Sequence, residues 1–326
     1  MRPTLLKGHE RALTQIKYNR EGDLLFSVAK DNIVSVWFSH NGERLGTYQG
    51  HQGTIWSVDV NSDSTLMVTG SADDSARLWS VRDGRLLHTW TTETAVKRVQ
   101  FSEDDKFVLM VLERRRNYNG SIKVYAIDSD TPEDQSDEPI SVIEPQDSKV
   151  SVAGWGYLNK YIVAGHEDGT VSLFDWNTGD VINAVQDHEG LLTDLQFSMD
   201  RTYFITSSKD KTSRIYDANT LECLKEYVTD TPLNSAAIVP ALQEFVVMGG
   251  GQEAMQVTTT SQRQGKFECR FFHKIYQEEV GRVRGHFGPI NTIAFHPDGK
   301  SFSSGGEDGY IRLHVLDPDY FEFKFE

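Results

Sequence analysis

Cysteine is scarce in this sequence of 326 residues, which contains only Cys223 and Cys269, far apart and in no Cys-x-x-Cys pattern. A disulfide framework or a cysteine-based zinc site is therefore not expected, and two reduced, partly buried thiols are the simpler interpretation. No apolar run approaches the roughly 18 residues of a membrane-spanning helix. The N-terminal MRPTLLKGHE has no apolar core typical of a secretory signal. We expect a cytoplasmic chain, with the nucleus as an alternative.

Positive charge is also in short supply. Lys and Arg number 33 against 48 Asp and Glu, which gives a net charge of −15. Because an acidic chain repels phosphate backbones, binding of nucleic acid through the whole surface is not expected. Such a surface favours basic partners.

Helix signals are almost absent, whereas a repeat is evident. Gly-His pairs, or a His in the same context, place histidines at His9, His51, His188 and His286. An aspartate stands 22 residues after each histidine, at Asp31, Asp73, Asp210 and Asp308. A Ser or Thr stands four residues before each aspartate, at Ser27, Thr69, Thr206 and Ser304. A residue with an aromatic or imidazole side chain stands six residues after each aspartate, at Trp37, Trp79, Tyr216 and His314.

Weaker copies of the repeat fill the gaps, at residues 121–127, 166–176 and 266–272. Within a unit, apolar and polar residues alternate as in half-buried strands, and short turns follow. A period of about 40 residues with these signatures is typical of β-propellers with four antiparallel strands per blade. We therefore predict an all-β fold, one seven-bladed β-propeller spanning 1–326. The predicted blades are approximately 8–49, 50–91, 92–146, 147–186, 187–229, 230–284 and 285–326.

A propeller must also close its ring. RPTLLKG (2–8) precedes the first Gly-His as ERLGTYQG (43–50) precedes the second, so strand 2–7 is expected to complete the last blade. YFEFKFE (320–326) also alternates and is the alternative.

The repeat resembles the WD repeat, and longer strings over essentially the whole chain resemble the i-subunit family of eukaryotic translation initiation factor 3. These strings are KGHERALTQIKYNREGDLLFSVAKD (7–31), GGGQEAMQVTTTS (249–261), GKFECRFFH (265–273), GRVRGHFGPINTIAFHPDGKSFSSGGEDGYIRLH (281–314) and DYFEFKFE (319–326). The resemblance implies a WD-repeat propeller that serves as a non-catalytic scaffold subunit of the factor. It implies binding to the C-terminal helical segment of the b subunit and to the g subunit. It also implies support of preinitiation complex assembly on the small ribosomal subunit and of mRNA scanning.

His51, Thr69 and Asp73 have the residue types of a catalytic triad. Yet the same set occurs four times at identical spacing, which is typical of a structural device rather than an active site. The WD resemblance implies that the His, Ser/Thr, Asp and Trp of a blade hydrogen-bond together, and a satisfied buried network rigidifies a fold. We predict no enzymatic activity, no cofactor and no metal.

One face of the predicted propeller, which we call the acidic face, carries the turns between the first and second strands and between the third and fourth strands. Its acidic residues are Glu21, Asp23, Asp63, Asp83, Glu103, Asp104, Asp105, Asp175, Asp180, Asp200, Asp217 and Asp298. The loop DSDTPEDQSDEP (128–139) adds six acids and no base. Alternatively, turns favour Asp for backbone reasons and this loop is a disordered, solvated charge run.

Carboxylates on a propeller rim suit a partner helix with basic and aromatic anchors. We predict that Asp200 and Asp217, in the two same-face turns of blade five, form the centre of the contact with the b subunit.

Two segments on the opposite face have competing interpretations. Arg114, Arg115 and Arg116 form a dense basic cluster that is either an RNA contact or a solvated hairpin tip. Given the acidity of the chain, direct RNA contact is not expected. GGGQEAMQVTTTSQRQG (249–265) is rich in glycine but has no GK[ST] ending, so a long hairpin loop is preferred over a phosphate-binding loop.

An alternative function is a substrate receptor of a cullin-type ubiquitin ligase. Such receptors resemble one another in a Trp-Asp-x-Arg box after the third strand. In LWSVR (78–82) Ser80 replaces the aspartate, and IYDAN (215–219) has no arginine. The box is therefore absent, which disfavours this alternative.

Overall fold

The computed structural model describes residues 3–145, 148–240, 244–251 and 267–317. Within these ranges, 28 β-strands form seven antiparallel sheets of four strands each. The described chain has one short 3₁₀ segment, Tyr157–Asn159. None of its helical structure is long and apolar enough to cross a lipid bilayer.

Each sheet is one blade. The strand β1 (Thr4–Lys7) belongs to blade seven. Blade one consists of β2 (Leu13–Tyr18), β3 (Leu24–Ala29), β4 (Ile33–Phe38) and β5 (Arg44–Gln49). Blade two consists of β6 (Ile55–Val60), β7 (Leu66–Ser71), β8 (Ser75–Ser80) and β9 (Leu86–Thr91). Blade three consists of β10 (Val96–Phe101), β11 (Phe107–Leu112), β12 (Ser121–Ala126) and β13 (Ser141–Ile143).

The remaining blades follow the same order. Blade four consists of β14 (Val150–Trp155), β15 (Ile162–His166), β16 (Thr170–Phe174) and β17 (Val181–Gln186). Blade five consists of β18 (Leu192–Phe197), β19 (Tyr203–Ser208), β20 (Thr212–Asp217) and β21 (Cys223–Val228). Blade six consists of β22 (Leu233–Ile238), β23 (Phe245–Gly250), β24 (Glu268–His273) and β25 (Glu279–Arg284). Blade seven consists of β26 (Ile290–Phe295), β27 (Ser301–Gly306), β28 (Tyr310–Val315) and β1.

The blades form a closed ring. The first strand of each blade contacts the first strands of both neighbours, and the series β2, β6, β10, β14, β18, β22 and β26 returns to β2. The predicted seven-bladed β-propeller is therefore confirmed.

The ring closes through the N-terminal strand. β1 pairs with β28, and Leu6 stands opposite Ile311 in the register. Leu6 is buried, whereas its neighbour Leu5 is exposed. The competing segment 320–326 lies outside the described residues.

The core is divided among the interfaces between blades. Seven apolar clusters each combine residues of two neighbouring blades, because a blade sheet exposes an apolar face on both sides. At one register position of the fourth strand, Tyr48, Trp90 and Tyr227 are buried aromatic residues. Their side chains donate hydrogen bonds of 2.9, 2.9 and 2.8 Å to the carbonyls of Val81, Ser136 and Lys274.

The two kinds of turn on the acidic face lie side by side within a blade. In blade five the Ala218 N–H donates to the Thr202 carbonyl at 3.0 Å, and in blade one the Ser39 N–H donates to the Asp23 carbonyl at 2.9 Å. Acidic residues of both turns are therefore brought to one surface.

Candidate functional site

The repeated polar set is a hydrogen-bonded unit inside the blade. In blade two, His51 Nδ1 lies 2.8 Å from Asp73 Oδ2 and His51 Nε2 lies 2.8 Å from Thr69 Oγ1. The indole N–H of Trp79 donates to the same Thr69 oxygen at 2.9 Å. Asp73 also accepts the backbone N–H of Gln52 at 2.9 Å. The set therefore connects the loop that enters the blade with its second and third strands.

The same geometry recurs at the other three positions named from the sequence. In blade one, His9 lies 3.0 Å from Asp31 Oδ2 and 2.8 Å from Ser27 Oγ, and the Trp37 indole donates to Ser27 at 2.9 Å. In blade five, His188 lies 2.9 Å from Asp210 and 2.8 Å from Thr206. In blade seven, His286 lies 3.2 Å from Asp308 and 2.8 Å from Ser304.

The aromatic or imidazole side chain that stands six residues after the aspartate differs between blades. Where Trp would stand in blade seven, His314 Nε2 lies 3.2 Å from Ser304 Oγ, so an imidazole takes the place of the indole. The His314 ring also stacks on Phe302 with centroids 4.5 Å apart. In blade five, Tyr216 stacks on Phe204 with centroids 5.4 Å apart.

Hydrogen bonds keep the aspartates of the polar sets charged, against the effect of burial. Burial by itself would raise the pKa of the Asp73 carboxyl, but hydrogen bonds from His51, Ser75 and the Gln52 N–H outweigh it and hold the pKa well below its usual range. The pKa of Asp210 and of Asp308 is lowered in the same way. The hydroxyl-bearing residues Ser27, Thr69, Thr206 and Ser304 have no solvent exposure. A substrate could not reach such a hydroxyl without opening the blade.

The Gly-His pair requires glycine at its first position for a steric reason. A Cβ on Gly8 would lie 2.5 Å from the Trp37 ring, and one on Gly50 would lie 2.3 Å from Arg77 and 3.1 Å from the Trp79 ring. The backbone therefore passes directly over the side chains that complete the set.

A second ring of polar contacts was not predicted from the sequence. Each first strand has a β-bulge after its first residue, and in five blades the bulged side chain donates to a carbonyl of the next blade. The donors are Thr14, Ser151, Thr193, Asn234 and Asn291, with distances of 2.6 to 3.1 Å. In blades two and three the bulged residues are Trp56 and Lys97, and the Lys97 amine lies 3.8 Å from the Trp56 ring centroid. A polar residue at the second position of the first strand, present in every blade except blade two, was the available signal.

Asp200 and Asp217 lie close together on the acidic face of blade five. Asp200 Oδ1 accepts from Ser198 Oγ at 2.6 Å and from Thr202 Oγ1 at 2.9 Å. Asp217 Oδ1 accepts from the N–H groups of Asn219 and Thr220, both at 2.9 Å. The turn bonds described for the two carboxylates end on Oδ1. Their role in binding stays a prediction.

The loop 128–139 is an ordered part of the surface, not a free charge run. Gln135 is buried, and its side chain donates to the Asp128 carbonyl at 2.8 Å. Blade two also anchors this loop, because the Trp90 indole donates to the Ser136 carbonyl. Arg85 contacts Glu133 at 2.8 Å and His88 contacts Asp137 at 3.0 Å. Some of its acidic charge is therefore paired within the chain.

The basic cluster is partly neutralised. Arg115 forms two hydrogen bonds, of 2.8 and 2.7 Å, with the carboxylate of Asp74 in blade two. Arg114 and Arg116 are exposed. The glycine-rich loop 249–265 lies largely outside the described residues, which resume at 267; Gly251 has φ +141°.

The cysteines are both free, with Cys269 buried and Cys223 exposed. Within the described ranges, no group of three or more His, Cys, Asp or Glu residues is arranged to hold a metal ion.

The chain is similar to known proteins over its full length. The sequence profile of the family described as EIF3I matches residues 1–326. "Eukaryotic translation initiation factor 3 subunit I" of Neurospora crassa is 61% identical, covering 100% of this chain and 94% of the relative. The proteins of the same name from Chaetomium globosum and Schizosaccharomyces pombe are 62% and 56% identical, each covering 100% of this chain, and 96% and 99% of the relatives.

The resemblance seen in the sequence and the seven-bladed propeller agree with this similarity. The chain belongs to the EIF3I family, the i subunits of eukaryotic translation initiation factor 3.

Proposed function

We propose that this chain is a non-catalytic scaffold subunit of the eukaryotic translation initiation factor 3 complex in the cytoplasm. In this role it binds the b and g subunits and supports preinitiation complex assembly on the small ribosomal subunit and mRNA scanning. The observation that carries the proposal is the full-length similarity to subunit I proteins.

The construction of the propeller supports a scaffold role. The repeated His, Ser/Thr and Asp sets stand inside the blades, and their hydroxyls are enclosed. A ring closed by β1 is stiff and offers several separate edges. Partners bound to one rigid body gain effective concentration for one another, which is a geometric rather than a chemical mechanism.

The acidic face supports docking of a basic partner. The proposed contact with the C-terminal segment of the b subunit is centred on Asp200 and Asp217, which adjacent turns of blade five hold in place. Asp200 is exposed and Asp217 is half-buried. Carboxylates fixed by their turns lose little freedom on binding and attract Lys and Arg of a partner helix.

The experiment that tests this proposal is affinity purification from cell lysate followed by mass spectrometry. We expect the wild-type chain to retain the b and g subunits, and Asp200→Lys/Asp217→Lys to lose the b subunit while remaining folded. Asp200→Asn/Asp217→Asn keeps an acceptor oxygen for the turn bonds and should also weaken b-subunit binding. Wild-type protein that retains no initiation-factor subunit would contradict the proposed function.

Blade two offers a matched control. Asp63 occupies the same turn position as Asp200 and bonds Thr65 in the same way, and Asp83 lies in the other acidic-face turn of that blade. Asp63→Lys/Asp83→Lys makes the same charge change on the same face. If it removes the b subunit equally, the contact is not centred on blade five.

A further inference from the structure

The methionines of the described chain differ sharply in exposure. Met67, Met110 and Met248 have no solvent exposure and stand on second strands, inside the apolar clusters between blades. Met199, by contrast, is 77% exposed. Within the described ranges, the thioether of Met199 is therefore the one that solvent reaches.

Met199 lies in a turn whose backbone is fixed on both sides of it. It is the second residue of the turn between β18 and β19, in which the Arg201 N–H donates to the Ser198 carbonyl at 3.0 Å. The Arg201 side chain donates to a carbonyl of blade four at 2.7 Å. The Asp200 carboxylate accepts from Ser198 Oγ at 2.6 Å. Because these bonds use the neighbours of Met199, its side chain can change chemically without releasing the turn.

The fold does not need an apolar residue at this position. The turns between first and second strands share one geometry in six blades, in which the N–H of the fourth residue donates to the carbonyl of the first. The second positions of the other five turns carry basic, polar, acidic, aromatic and imino residues, namely Arg20, Ser62, Glu103, Tyr157 and Pro297. A polar side chain in place of Met199 should therefore leave the propeller folded.

The two thiols are poor competitors for an oxidant. Oxidation of cysteine proceeds through the thiolate, so a raised thiol pKa slows it. Burial raises the pKa of Cys269 to about 12. The pKa of the exposed Cys223 thiol is also raised, by partial desolvation first and by the charge of Asp187 second. A thioether needs no deprotonation, so exposure decides whether an oxidant reaches the sulfur.

We propose that Met199 is a site of reversible oxidation by hydrogen peroxide, which converts the exposed tip of this turn from apolar to polar. The sulfur attacks one peroxide oxygen, so that an S–O bond forms and the O–O bond breaks. The transferred oxygen gives up its proton through solvent to the departing hydroxide, which leaves as water. Sulfur is oxidised by two electrons and peroxide is reduced. A methionine sulfoxide reductase restores the thioether with two thiols, which become a disulfide as water is released.

The sulfoxide alters the surface beside Asp200 and leaves the core intact. It replaces a flexible apolar tip by a polar S–O group that accepts hydrogen bonds. Among the described residues, Met199 belongs to none of the seven apolar clusters. Oxidation of a buried methionine such as Met248 would instead place an unpaired polar group in the core. The proposal goes beyond the proposed function, because it holds whichever partner binds this face.

The experiment treats the full-length chain with hydrogen peroxide at neutral pH, with N-acetylmethionine in the same solution as an internal standard. Proteolysis and tandem mass spectrometry then locate the added oxygen. We expect Met199 to be oxidised about as fast as the standard, while the three buried methionines stay unmodified. Met1 and Met255 lie outside the described residues and are distinguished by their fragment ions. Incubation with methionine sulfoxide reductases of both stereochemical specificities and dithiothreitol should remove the oxygen from Met199.

Met199→Leu is the matched variant, because leucine is apolar and similar in volume but has no sulfur. Wild type and variant should have the same thermal unfolding midpoint before and after brief peroxide treatment. Met248→Leu removes a buried sulfur and should leave oxidation of Met199 unchanged. Oxidation of a buried methionine ahead of Met199 would overturn the proposal. So would an unfolding midpoint that falls as Met199 is oxidised, or a sulfoxide that the reductases do not reduce.

Discussion

At the scale of the residue, the blades depend on a few buried polar groups that satisfy one another. His51 bridges Asp73 and Thr69, and Thr69 in turn accepts from Trp79. His51, Thr69 and Trp79 are buried and the Asp73 side chain is only 12% exposed, so a change to one leaves another without its partner. The loss of a buried partner costs more than the bond itself contributes. In blade seven, His314 replaces the indole and introduces a titratable ring into this environment.

His314 gives the protein a pH dependence of known sign. Burial, reinforced by the charges of His286 and Arg312, lowers the pKa of His314 to about 3. In the unfolded chain a histidine titrates near about pH 6.5. As the pH falls below that value, the unfolded state takes up a proton that the folded state does not, so the free energy of unfolding decreases.

We therefore expect His314→Phe, which keeps the stack on Phe302, to remove part of this acid sensitivity. The wild type should lose about 2 kcal/mol more than the variant between roughly pH 7 and pH 5. Denaturant unfolding at a series of pH values measures this difference. The exposed His40 supplies the control: His40→Gln also removes a histidine, but one outside the polar sets, so it should not reproduce the change made by His314→Phe. Parallel curves for wild type and His314→Phe would contradict the assignment.

At the scale of the element, neighbouring blades are joined at both ends of each sheet. Bulged residues of the first strand reach the next blade near the axis, and aromatic residues of the fourth strand reach it at the rim. The rim aromatics combine apolar burial with one hydrogen bond, whereas Ile143, Val185, Val283 and Leu6 supply packing alone at the same register position.

Removal of one rim hydroxyl should therefore destabilise the propeller modestly. We expect Tyr227→Phe, which loses the bond to the Lys274 carbonyl, to lower the free energy of unfolding by about 1 kcal/mol. Tyr48→Phe should have an effect of similar size, because the Tyr48 hydroxyl likewise donates to a carbonyl of the next blade, that of Val81. Denaturant titration is the measurement. Tyr118→Phe, at a half-exposed side chain, should have no effect.

At the scale of the whole molecule, stability depends on closure of the ring. Blade seven takes its fourth strand from the other end of the chain, so β1 connects sequence positions about as far apart as the described chain allows. Leu6 packs in the cluster between blades seven and one, with Leu13, Trp37 and Leu313. Loss of this contact exposes apolar faces of two blades at once.

Two adjacent leucines test this dependence. Leu6 is 3% exposed and Leu5 is 57% exposed. Leu6→Ala should lower the free energy of unfolding by about 2–5 kcal/mol, in the range of large core truncations. Leu5→Ala should stay within about 0.5 kcal/mol of wild type. Equal effects of the two substitutions on thermal or denaturant unfolding would mean that β1 does not seal the ring.

The repeat in the sequence was sufficient to predict the all-β class, the number of blades and the members of the polar sets. These contacts form within one blade, between residues 18 and 22 apart, so constant spacing along the chain becomes constant geometry in space. Acidic turns were also evident, because turn chemistry is local.

Contacts between blades were decided by the tertiary structure. The anchoring of loop 128–139 by Trp90, the pairing of Arg115 with Asp74 and the closure by β1 join segments whose proximity depends on how whole sheets pack around the ring. Local patterning thus determines the blade, whereas the docking surfaces arise from the order in which blades meet, because side chains far apart in sequence become neighbours only in the closed ring.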